Sequence, residues 1–248
     1  IPGNYYVESG RLGNRSKAGD KYLKDALILK AAYEKEVKTG GELANRYAFY
    51  CAQSFKDCGK IDEAIEWYTL VADKMNSWGQ ERYYSCVTLG HLYKRKNDFF
   101  KAIEYYLKSD KFDSERKEGI IYACEVLKDK GMYMLVTLLY EKHQDYDRNP
   151  RDKLFMHRDI YDDVLEFNAA ISYCLDGNPK KGYSLFKEIV ARSIANHQII
   201  NVSYKNLLVC QEILKTDKTT LELFYKLNTY IQTCEDGKSL TPLWNILF

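Results

Sequence analysis

The chain has no apolar run approaching the roughly 18 residues of a membrane span. Secretory features are missing as well, and the first residue is Ile1 rather than Met. We therefore expect a piece of a longer protein, preceded by other sequence. Neither charge sign dominates: 37 basic residues stand against 35 acidic ones, a net +2. Such a balance gives no global field to draw the chain onto nucleic acid or a membrane surface. The seven cysteines, at 51, 58, 86, 124, 174, 210 and 234, include no C-x-x-C pair. Their odd number argues against a disulfide framework. Most fall at small or inward positions, so buried free thiols in a reducing, cytoplasmic compartment are expected. A phosphate-binding loop and a Cys/His or Ser/His arrangement are absent too. The chain itself is expected to hold no catalytic residue, no metal and no cofactor.

What the chain does have is a beat repeated four times. A small residue is followed three positions later by a bulky one, and four beyond that by Gly or Asn. The sets are Ala52–Phe55–Gly59, Gly90–Tyr93–Asn97, Cys124–Leu127–Gly131 and Ala170–Tyr173–Gly177. Five residues on comes a second small position with a ring four further along: Ala64/Tyr68, Ala102/Tyr106, Val136/Tyr140 and Gly182/Phe186. The second small residues lie 38, 34 and 46 apart. This is the signature of tetratricopeptide-like helix pairs, with insertions between units.

The physical logic is that antiparallel helices need a small side chain where their backbones meet. Gly90 against Ala102 is expected to supply that contact in the second unit. The ring beside it fills the groove, and Gly or Asn lets the first helix stop in a left-handed conformation. Leu127 and Val136 depart from the pattern, which leaves the third unit the least regular. The fold class predicted is all-α, a right-handed superhelical solenoid of about four such pairs.

Three regions follow along the chain. Residues 1–18 carry Pro2, three glycines and no helical period, and read as a junction. Residues 19–196 hold a helix from about 20 to 38 and then the pairs 42–57 with 61–75, 79–96 with 98–109, 115–130 with 132–145, and 160–176 with 179–195. An irregular stretch from Asp147 to about Asp159, broken at Pro150, accounts for the longest spacing. Asp62 and Asp98 suit the starts of second helices, and Pro179 suits a first helical turn. Residues 197–248 read as two capping helices, 198–215 and 219–233, and an apolar tail ending in Leu243, Trp244, Ile246, Leu247 and Phe248. So apolar a tail must dock on this chain or on a partner.

Three segments are more specific. "YYVESGRLGNRSKAGDKYLKDALIL", from Tyr5 to Leu29, resembles the junction between catalytic and repeat domains in certain glycosyltransferases. "RYAFYCAQSFKDCGKIDEAIEWYTLVADKMNSWGQERYYS", with its Trp78–Gly79–Gln80–Glu81 turn, is similar to the repeats that follow there. "DKLFMHRDIYDDVLEFNAAISYCLDG" looks like that group's later insertion and helix. The family resembled is the tetratricopeptide-containing glycosyltransferases, similar to family-2-type inverting enzymes of bacteria and large DNA viruses. The resemblance implies an upstream GT-A-type domain that binds a nucleotide sugar and a divalent metal through Asp-x-Asp. Here only Asp145–Tyr146–Asp147 matches those letters. It lies at a predicted helix end within the repeats, so it is not read as the family motif. This chain would be the non-catalytic repeat module, holding a glycan or protein acceptor or mediating assembly. The competing reading is a free-standing scaffold that binds a peptide in its groove. Self-association is left open.

Candidate site residues follow from the same pattern. Arg11 and Arg15, beside Gly10 and Gly13, are candidate phosphate contacts; the alternative is a turn whose charges face water. The 22 tyrosines exceed what the repeat positions use. Most are expected in the core, and some on the inner face, where a ring and a hydroxyl together bind sugars or peptides. Tyr50, Gln53, Arg82, Tyr84 and His91, on the first helices, are the candidate groove residues. A clamp for chaperone tails is not expected, since Gln53 and Val87 stand where it needs Lys and Asn. His157, Asp159, Asp162 and Asp163 fit no metal-site spacing and read as helix-start residues. His143 and His197 are isolated.

Overall fold

The structure is a computed structural model that describes residues 20–73, 77–151, 153–192 and 197–216. Among these residues there are ten α-helices and no strand. Helix α1 (Lys21–Thr39) leads into four antiparallel pairs: α2 (Ala44–Asp57) with α3 (Ile61–Asp73), α4 (Gly79–Arg95) with α5 (Phe99–Ser109), α6 (Glu118–Asp129) with α7 (Tyr133–His143), and α8 (Val164–Leu175) with α9 (Pro179–Arg192). Helix α10 (His197–Thr216) closes the array on α9 and α8. Each helix packs on the next. First helices also touch across pairs, α4 on α6 and α6 on α8, so they form the inner row of a helical repeat solenoid.

Each repeated beat is a helix stop. Gly59, Asn97, Gly131 and Gly177 have φ of 79°, 60°, 72° and 82°. The next residue donates its amide five residues back in every unit: Lys60 to Phe55, Asp98 to Tyr93 and Met132 to Leu127 at 2.9 Å, and Asn178 to Tyr173 at 2.8 Å. The turn residue itself donates to Lys56, Lys94, Lys128 or Cys174. That pair of bonds is the Schellman arrangement, which satisfies carbonyls a helix end otherwise leaves open. The third unit keeps it despite Leu127, and both Leu127 and Val136 are buried.

Packing refines one contact. The nearest atoms a Cβ on Gly90 would meet belong to the ring of Tyr106, which follows Ala102 by four residues. Gly90 makes room for the aromatic, and Ala102 is buried beside it. Tyr68, Tyr83, Tyr106, Phe49 and Phe186 are fully buried, each contributing roughly 2–3 kcal/mol of transfer free energy.

Caps follow the sequence in part. Asp98 Oδ1 accepts from the Lys101 amide at 3.2 Å, whereas Asp62, in the first turn of α3, pairs with Lys96 at 2.6 Å. Pro179 opens α9. Helix α8 starts at Val164, later than 160, because Asp163 adopts a left-handed conformation (φ 64°) behind a 3₁₀ turn at Arg158–Tyr161. The junction 1–18 with Arg11 and Arg15, the predicted helix 219–233, Cys234 and the apolar tail lie outside the described residues.

Candidate functional site

Between α7 and α8 the chain does not simply loop out. It runs back across the first-helix row as a strap, and buried charges hold it there. Arg116 and Glu118, each about 2% exposed, pair at 2.6 Å. Tyr83 and Tyr161 both donate to Glu118 Oε2, at 2.9 and 2.6 Å. Arg116 stacks on the Tyr83 ring at 4.1 Å and donates to the Leu154 carbonyl at 2.9 Å. Burial would raise the Glu118 pKa, but the hydrogen bonds from Arg116 and Tyr161 outweigh it and hold the carboxyl below its ordinary value. Lys153 adds ion pairs to Asp113 and Glu115 at 2.6 and 2.7 Å. At the strap's far end, Tyr146 and Arg148 both bond Glu166, and Arg192 pairs with the buried Asp163 at 2.6 Å. The Asp145–Tyr146–Asp147 segment is thus an anchor, its Asp147 accepting from the Asn149 amide.

Held this way, the strap walls a cavity of about 490 Å³ against α2 and α4. Tyr84 and His91 line it from α4, and Phe155 and His157 from the strap. The Phe155 and Tyr84 rings lie 4.9 Å apart. His91 Nδ1 is 2.7 Å from the buried Tyr106 hydroxyl, and its ring is 4.5 Å from that of Tyr122. Tyr122 in turn meets His157 Nδ1 at 2.8 Å. Burial, with the nearby His157, Lys94 and Lys56, pushes the His91 pKa down to about 4, so the ring is neutral at pH 7. Lys56 approaches the Tyr84 hydroxyl at 3.5 Å, and Arg95 stands at the end of α4.

The five groove residues read from the sequence divide three ways. Tyr84 and His91 share this cavity. Tyr50 and Gln53 line a neighbouring groove of about 380 Å³ between α1 and α2, together with Tyr22 and Asp57. Arg82 reaches neither: its guanidinium donates to the Ala72 carbonyl at 2.9 Å and lies 4.0 Å from the Phe112 ring centre. That is a structural role at the end of α3. Val87, where a clamp would need a polar group, is a buried wall of the cavity.

Sequence reasoning missed the strap's part in the site. The long third interval and Pro150 marked an insertion, but not its return to α4. Arg116 and Glu118 carried no sequence signal, and Lys56 and Phe155 lay within the quoted segments without being marked as site residues. Among the described residues no group of three or more metal-type side chains could hold an ion, and no helix is long and apolar enough to cross a membrane. Among the described residues six cysteines are free, five of them buried.

A tetratricopeptide-repeat family model matches residues 83–116, which take in most of α4, all of α5 and the turn to Arg116. No curated protein matches the chain. The structure is a helical repeat solenoid with a tetratricopeptide repeat at its centre, an architecture that suggests a protein-interaction module.

Proposed function

We propose that this chain captures a segment of a partner protein on its inner row, along α2 and α4, with the strap as one wall. The observation that carries the reading is the convergence of Tyr84, His91, Phe155 and His157 on one cavity beside the matched repeat. A photo-crosslinker at Thr88, which lines the cavity, tests it in source cells. The expected result is a discrete protein adduct that is absent when the crosslinker sits at Leu138, exposed on α7. Equal labelling from both positions, or none from Thr88, would overturn it.

A finer reading rests on the resemblance of Tyr5–Leu29 and the later segments to tetratricopeptide-containing glycosyltransferases. In that reading the module follows a nucleotide-sugar-dependent catalytic domain in a cytoplasmic protein. It holds the acceptor or joins subunits, and nucleotide sugar and metal belong to the other domain. The six free thiols support a reducing compartment. Intact mass and the N-terminal peptide of the native protein test this. A mass well above 29.0 kDa, with an Asp-x-Asp upstream, is expected; a product beginning near Ile1 would leave the free-standing scaffold. The isolated chain, given nucleotide sugars and a divalent metal, should show no turnover.

A further inference from the structure

Resting on the interaction reading, we infer that the cavity between α2, α4 and the strap takes an acidic peptide in extended form, with a large apolar or aromatic residue beside the acid. Charge is the first argument. The charged side chains lining the cavity are Lys56, Arg95, Arg116 and Glu118. The last two neutralise each other at 2.6 Å, which leaves Lys56 and Arg95 as a surplus of two positive charges. Lys56 touches Asp57 at 3.5 Å, but that carboxylate is half in water and faces the adjoining groove. Of the two histidines on the walls, His91 is neutral.

Apolar surface is the second argument. Phe155 is 48% exposed and sits at φ 48°, a conformation that costs a non-glycine residue energy. The anchored strap holds it there, and its ring packs on Tyr84, 4.9 Å between centres, so that the two form one aromatic wall of the cavity. A half-exposed ring held at that cost beside a surplus of cations suits a partner side chain that adds a third apolar surface.

The third argument favours a chain over a free ion. Lys56 lines this cavity and the next residue, Asp57, lines the Tyr50–Gln53 groove. The two hollows flank the last turn of α2, and the second is lined by the carboxylates of Asp25 and Asp57 with no cation. An extended segment crossing that turn would therefore place its acid in the first cavity and an uncharged or basic residue in the second. Lysines also recur at one register of successive first helices, Lys56, Lys94 and Lys128, each accepting the turn amide of its unit through its carbonyl. They suit the helix ends; of the three, Lys56 lines the cavity, and the Lys128 ammonium is held by the Asn168 side chain at 2.7 Å.

The test is selection of immobilised random-sequence peptides by the whole chain, compared with the Lys56→Glu/Arg95→Glu variant. A control, Lys101→Glu/Lys180→Glu, makes the same change of net charge at exposed positions outside the cavity. Folding of each variant is checked by circular dichroism. The expected outcome is enrichment of Asp and Glu next to aromatic or large apolar residues. Affinity should fall by roughly tenfold or more in the first variant and stay within about threefold in the control. Inorganic phosphate in large excess should compete weakly. Bound peptides without acidic character, or binding that survives the charge reversal, would overturn this inference and leave the interaction reading standing. Complete displacement by phosphate would make the site one for small anions and overturn it too. A wild-type chain that selects no peptide would contradict both readings.

Discussion

Tyr161 donates its hydroxyl to Glu118 Oε2 at 2.6 Å and accepts the Lys117 amide at 2.9 Å. A single side chain of the strap thereby caps the start of α6 and stabilises its buried carboxylate. The strap is a structural part of the inner row and not a loop laid over it, because the groups that bind it are nearly without water.

The first prediction concerns that clamp. Glu118→Ala leaves Arg116 buried without its partner, and breaking a buried pair from one side costs about 3–5 kcal/mol. Urea denaturation should show this loss. Arg116→Met/Glu118→Leu should recover a large part of it, since both charges then disappear. A single variant as stable as wild type would mean the strap is not fastened as described.

Gly90→Ala tests the α4–α5 crossing. The added Cβ would overlap the Tyr106 ring, and overpacking of this kind costs roughly 1–3 kcal/mol. Gly90→Ala/Tyr106→Leu should be less destabilised than the sum of the two single changes. Additive losses would place the close approach elsewhere.

His91 gives a pH signature. Its folded pKa, about 4, lies below the ordinary 6.5 because burial, then His157, Lys94 and Lys56, disfavour the charged ring. Tyr106 and Tyr122 face it from α5 and α6. The unfolded chain therefore binds more protons between those values. Stability contributed here is present above pH 6.5, falls as pH drops toward about 4 and then levels off. The loss is on the order of 2 kcal/mol. Thermal melts of wild type and His91→Gln across this range should diverge at high pH and converge at low pH; parallel curves would contradict the assignment.

Thiol reactivity should be selective. Burial pushes the Cys51, Cys86 and Cys124 thiols up to about 12, which suppresses their thiolates. Cys58 is only partly buried. Peptide mapping after brief iodoacetamide treatment should find Cys58 alkylated first among the six described cysteines. Early modification of Cys86 would indicate that the α3–α4 core opens readily.

The helical pairs were legible because their stops are local chemistry. Phe55 to Lys60 holds a complete Schellman turn within six residues, and the same spacing recurs three times. Gly90 was recognisable as a close contact, but the ring that fills the space beside it, Tyr106, was not, since helical periodicity does not say how far a side chain reaches. The candidate site was half legible. Tyr84 and His91 share the inner face of α4 by helical spacing, and both reach the cavity. Arg82, two residues before Tyr84 and so about 200° round the helix, points to the opposite face and binds the Ala72 carbonyl instead. Phe155 and Glu118 could not be read, because they meet Tyr84 and Tyr83 of α4 across 71 and 35 residues of chain, a return that no local pattern encodes.

Amide exchange on the whole chain, with and without the partner captured from Thr88, tests the central claim most directly. The account predicts slowed exchange in α2, α4 and the strap residues 153–161, with α5 and α7 unchanged. Protection confined to α5 and α7, or none in α4 and the strap, would contradict the assignment of the inner row as the binding surface.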